Sequence, residues 1–149
     1  MARLDRLGTA REVAQLGATV GREFSYELLQ AVSVLDEALA LVRKIGRHLW
    51  ETELYRIKGE LLLMQGRDTA SRASTDEAEA CFRKAIEVAR HQGAKSWELR
   101  AVMSLSRLWQ KQGKTEKARR MLQKVYGWFT EGFDTTDLKE AKALLEALS

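Results

Sequence analysis

Residues 49–66, LWETELYRIKGELLLMQG, and residues 96–113, SWELRAVMSLSRLWQKQG, carry the reading that decides the fold. Sliding the chain by 47 residues lays one stretch on the other, with Trp50 on Trp97, Glu51 on Glu98, Leu61 on Leu108, Gln65 on Gln112 and Gly66 on Gly113. Upstream the same register holds for Ala38 and Ala85, Arg43 and Arg90, and Gly46 and Gly93. Leu39/Ile86, Leu41/Val88 and Tyr55/Val102 are apolar in both copies. Composition alone does not place glycines in register at both ends of a helical pattern. A period of this size implies stacked helix pairs.

Each period reads as helix, turn, helix. The first helix is expected from Leu49 to Gln65, stopping at Gly66, and its counterpart from Ser96 to Gln112, stopping at Gly113. The second helix carries Ala78, Phe82 and Ala85 in one copy and Ala118, Leu122 and Val125 in the next. Steps of four and three residues put these on one face, where small residues let helices approach and Phe82 or Leu122 fills the gap. The four residues from Lys114 to Lys117 predict a tight turn. The eleven from Arg67 to Glu77, rich in Ser, Thr, Arg and Asp, predict a longer polar loop, with Thr75-Asp-Glu as the next helix start.

The run Ala78-x-x-x-Phe82-x-x-Ala85 resembles the second-helix signature of tetratricopeptide repeats, and Gly59 and Gly66 resemble that family's first-helix and turn glycines. Three departures stand out: Ser106 replaces the helix glycine in the second copy, Val125 replaces the later alanine, and no proline closes either repeat. The resemblance implies an all-α fold of antiparallel helical hairpins winding into a right-handed α-α superhelix. It also implies a scaffold that binds a protein or peptide. Leu138, Ala141, Leu145 and Leu148 form one stripe, read as a C-terminal capping helix with an acidic start over Asp134 to Asp137.

The N-terminus does not share the register. Thr9-x-x-Glu12 suits the start of a helix over Ala10 to Leu16, and Ser25 that of another over Tyr26 to Val32, with Phe24 stapling onto Leu29. Arg3-Leu-Asp-Arg-Leu-Gly8 and the run from Arg11 to Leu29 resemble the segment after the ATPase core in large bacterial signalling proteins. Those proteins join a class III adenylate/guanylate cyclase or a transcriptional regulator to an AAA-type ATPase and a tetratricopeptide tail. Leu99 to Trp109 and Val125 to Asp134 are similar to the extreme C-terminus of the same proteins. The implied organisation is a short segment, 1–33, like the start of a winged-helix-like region, followed by a helical-repeat domain, 34–149. The chain then reads as a shortened relative, or a fragment, that keeps the binding tail and lacks the cyclase and ATPase modules.

Composition narrows the classes further. Apolar residues make up 45% and charged residues 31%, proline is absent, and most of the ten glycines separate periodic segments. A net charge of +4 made of interspersed signs describes a solvated surface more readily than a basic tract. Cys81 is the single cysteine, so no internal disulfide forms. Met1 to Gly21 lacks a signal-peptide core and no apolar run is long enough for a membrane span, so the expectation is a cytoplasmic protein.

No motif for catalysis stands up. Gly113-Lys-Thr115 lacks the phosphate loop's leading glycine, since Leu108 stands there, and no strand precedes it. His48 and His91 have no paired spacing for a metal, and Cys81 beside Phe82 reads as a packing residue. No alternating strand pattern exists to carry cyclase aspartates. The expectation is therefore a protein without catalytic residues, cofactor or metal.

Trp50 and Trp97, equivalent in the repeat, read as packing between hairpins, with an aromatic ligand groove as the other reading. The inner faces of the first helices, at Tyr55, Lys58, Leu62, Arg100, Met103 and Arg107, are the expected partner surface. The rival is nucleic-acid binding through the basic face over 107–124, namely Arg107, Lys111, Lys114, Lys117, Arg119, Arg120 and Lys124. Against it, these cations spread over two helices without interleaved aromatics. So few hairpins leave apolar ends, and self-association through Val34 to Ile45 is the other open outcome.

Overall fold

The computed structural model describes residues 26–46, 48–69 and 72–149, which form helices joined by short turns, with no strand among them. Helix α1 covers residues 26–45 and a 3-10 turn covers His48–Trp50. Then follow α2 (Glu51–Thr69), α3 (Arg72–His91), α4 (Lys95–Lys111), α5 (Thr115–Tyr126) and α6 (Thr136–Ala147). The predicted helix over Ala10 to Leu16 and the Phe24 staple lie outside the described residues.

The expected helix from Tyr26 does not end at Val32. It continues through residues 33 and 34 to 45. Leu28, Val32, Leu35, Leu39 and Val42 repeat at steps of four and three, giving one inward stripe along the whole length, with Leu28 and Leu39 buried.

The 47-residue register reappears as a repeated polar joint. In the first copy Arg43 Nε donates to Glu51 at 3.1 Å and His48 Nδ1 lies 3.0 Å from the same carboxylate. In the second, Arg90 Nε donates to Glu98 at 2.6 Å and Lys95 Nζ at 2.7 Å. Between the paired residues stand Gly46 and Gly93, at φ of 71° and 66°. Trp50 and Trp97, each beside the buried glutamate, meet at 5.4 Å between ring centroids, so the tryptophans do pack one joint against the next.

Gly93 shows why the joint is sharp. Its N–H donates to Arg90 O at 3.1 Å and that of Ala94 to Ala89 O at 2.9 Å. The same two bonds recur at Gly113 and Lys114, to Gln110 O and Trp109 O. This pair satisfies the last helical carbonyls and requires a left-handed residue, which glycine adopts without steric cost.

Gly66 behaves differently from Gly113. It lies inside α2, which runs on to Thr69, and α3 begins at Arg72 rather than near Thr75, so most of the expected loop 67–77 is helix. A glycine inside a helix costs only about 1 kcal/mol, which packing of a long hairpin outweighs.

The core is one cluster through α2 to α6, with Ala78, Phe82, Ala85, Ala118 and Leu122 fully buried and Val125 at 3% exposure. Helix α2 packs on α3, α3 on α4, and α4 on α5. First helices also lie close to one another, α2 with α4 and α4 with α6, whereas the backbones of α3 and α5 make no such approach among the described residues. Helices α2, α4 and α6 thus lie side by side along one face of the stack, its inner face. Helix α6 closes the end against α4 and α5 through Leu138, Ala141, Leu144 and Leu148. Its start differs in detail from expectation: Thr135 takes the cap position, but its hydroxyl donates back to Gly132 O at 2.7 Å.

Glu98 makes the joint sensitive to acid. Burial pushes its carboxyl up, but the bonds from Lys95 and Arg90 outweigh this and hold it below the ordinary 4.5. A lowered folded value contributes stability above the unfolded one, lost as pH falls through the folded one. Thermal unfolding should therefore show a smaller drop between pH 7 and pH 3 for Glu98→Gln than for the parent chain; equal drops would remove Glu98 as a cause.

Candidate functional site

The inner face holds a small concavity, about 190 Å³, lined by Arg56 of α2, Arg100, Met103, Ser104 and Arg107 of α4, and Asp137 and Glu140 of α6. Arg100 Nε donates to Asp137 at 2.7 Å and an Arg107 amino group donates to Glu140 at 3.0 Å. Arg56 donates to Glu53 at 3.0 Å and lies 3.8 Å from Glu60. The bond to Glu53, against the opposing effect of burial, raises the Arg56 pKa above its usual value, so its charge is fixed. The result is a groove floored by Met103 and Ser104 and walled by alternating arginines and carboxylates.

The six residues expected to face a partner divide into three groups. Arg100, Met103 and Arg107 line this groove, although Met103 is only 3% exposed and supplies floor rather than a free side chain. Leu62, at 5% exposure, belongs to the core and is not a surface residue. Tyr55 and Lys58 turn towards α1: an Arg43 amino group donates to the Tyr55 hydroxyl, and Lys58 Nζ pairs with Asp36. The cause is register. Shifting Arg100, Met103 and Arg107 back by 47 residues gives Glu53, Arg56 and Glu60, so these, not Tyr55, Lys58 and Leu62, share the inner face. The acidic wall from α6 has no such signal, because α6 lies outside the repeat.

Ser104 is the groove's chemically distinct member. It is 2% exposed and its hydroxyl has no hydrogen-bond partner among the described residues. A buried hydroxyl without a partner is a costly arrangement.

The basic face is largely occupied with the protein's own groups. Arg119 and Arg120 share Glu116 at 3.0 and 2.8 Å, and Lys114 lies 4.0 Å from Glu79. Lys117 Nζ sits 4.3 Å from the centre of the fully buried Trp109 ring, and the Arg83 guanidinium carbon 5.3 Å from it.

His48 and His91, far apart in sequence, open onto one pocket of about 430 Å³ with Glu51, Glu87, Val88 and Gln92. Gln92 Nε2 donates to His48 O at 2.6 Å, tying its edges. Among the described residues no three His, Cys, Asp or Glu side chains are placed to hold a metal ion. Cys81 is half-buried against the core, and burial pushes its thiol up, away from the thiolate a nucleophile needs. No helix among the described residues is long and apolar enough to cross a membrane.

No protein-family model matches the chain, and no curated protein or solved structure does either.

Proposed function

We propose that the chain is a tetratricopeptide-like interaction module that binds a protein or peptide in the groove between α2, α4 and α6, and acts by binding rather than turnover. The observation that carries this reading is the groove's mixed-charge wall of Arg100, Arg107, Asp137 and Glu140. Its cross-helix pairs, Arg100–Asp137 and Arg107–Glu140, are part-exposed and individually weak, so a partner's charges exchange with them at little cost. An extended segment carrying both signs suits such a groove.

The resemblance of both ends to cyclase- and ATPase-linked signalling proteins supports a regulatory setting in the cytoplasm. A nucleic-acid role for the face over 107–124 is less well supported, because Trp109, the one aromatic among those residues, is fully buried and offers no ring for bases to stack on.

Peptide-display selection on the immobilised chain tests the groove. Enriched peptides should lose at least about tenfold in affinity, roughly 1.4 kcal/mol, on Arg100→Glu/Arg107→Glu, and keep it on Lys114→Glu/Lys117→Glu. The reverse pattern would move the site to the basic face.

A further inference from the structure

Helix α1 buries one side and leaves an aligned apolar row on the other. Val34, Leu41 and Ile45 are 61%, 55% and 58% exposed, with half-buried Ala38 among them. Steps of four, three and four along 34, 38, 41 and 45 are the seam spacing of a two-helix coiled coil. Single exposed apolar residues are ordinary, whereas a contiguous row marks an interaction site. Glu37 and Lys44 flank the row on one side, each immediately before a seam residue, and both are exposed. Seven residues apart on one helix, they stand about 10 Å from each other and cannot pair. Nor does either carry an ion pair among the described residues, although Asp36 and Arg43 beside them do.

We infer that a second copy of this chain covers the row, its α1 lying antiparallel about a two-fold axis. Reversal sets Ala38 against the partner's Leu41 and Val34 against the partner's Ile45, keeping the seam in register throughout. It also brings Glu37 beside the partner's Lys44, and two-fold symmetry makes that contact twice. A parallel pairing would instead set Glu37 beside the partner's Val42, leaving both charges unused. Charge complementarity thus selects the occupant and its direction. None of these residues belongs to the groove between α2, α4 and α6, so the dimer and the groove stand or fall separately.

Sedimentation equilibrium of the full chain across a concentration series tests this. The average mass should rise from 16.9 kDa towards twice that value. Leu41→Glu should abolish the rise with the helical circular dichroism unchanged, since the side chain is outside the core. Glu37→Lys and Lys44→Glu should each weaken association several-fold, and the two variants mixed should associate as a heterodimer near parental strength. One-copy mass at every concentration overturns the inference. So does a dimer indifferent to Leu41→Glu, or charge variants that fail to rescue one another on mixing.

Discussion

Phe82→Ala is expected to lower stability by about 3–5 kcal/mol, the range for truncating a buried phenylalanine. Phe82 is fully buried on α3 and its ring seats directly against Gly59 of α2. Removing it opens a cavity between two helices of 19 and 20 residues, whose backbones are too stiff to close over it. Denaturant unfolding followed by circular dichroism should show a lower midpoint with an unchanged slope. A loss below about 1 kcal/mol, the usual scale of an unremarkable substitution, would show that the hairpin does not depend on this ring.

Gly59→Ala is the converse experiment and should also destabilise. A Cβ there would stand 2.5 Å from Phe82 Cε1 and 2.8 Å from Cδ1, and the buried ring has no free space to swing into. Overpacking costs about 1–3 kcal/mol, offset by about 1 kcal/mol from replacing a helical glycine. The net expectation is a loss of up to roughly 2 kcal/mol from those two effects. The second hairpin shows the compensated form: Ser106 occupies the glycine's position and the smaller Leu122 that of Phe82, both fully buried. Gly59→Ala/Phe82→Leu should therefore lose less than the sum of its single changes, measured as a double-mutant cycle. Strict additivity would mean the two positions do not share a contact.

That compensation explains why the repeat was readable in spite of its departures. Register survives in the residues that build the joints, Arg43/Arg90, Gly46/Gly93, Trp50/Trp97 and Glu51/Glu98, because each joint needs the same ion pair and the same left-handed turn. Helix ends were less legible. Gly66 and Gly113 are the same residue in the same register, yet only Gly113 takes positive φ. The difference lies downstream: the added turns of α2 and α3 are mostly solvent-facing, with Arg67, Arg72, Asp76 and Glu77 exposed, so no apolar period announces them. Helix α1 was read as ending early for the opposite reason. Apolar residues on both its inner and outer sides, Leu39 and Leu41 among them, blur the amphipathic pattern.

The six residues expected to meet a partner separate by register. Arg100, Met103 and Arg107 lie on one face of α4 and line the concavity, whereas Tyr55, Lys58 and Leu62 lie on a different face of α2. Applying the 47-residue shift to Arg100, Met103 and Arg107 gives Glu53, Arg56 and Glu60, which is Arg56 with its two glutamates. The carboxylates of α6 and the isolated hydroxyl of Ser104 depend on tertiary placement, which no spacing in the sequence encodes.

The groove's role in binding is tested most directly by photo-crosslinking in the native host, with a photoreactive residue in place of Arg107 in one variant and of Lys117 in another. The groove reading predicts a discrete crosslinked partner from position 107, suppressed by Arg100→Glu, and none from position 117. A partner captured from position 117 alone, or equally from both, would contradict it.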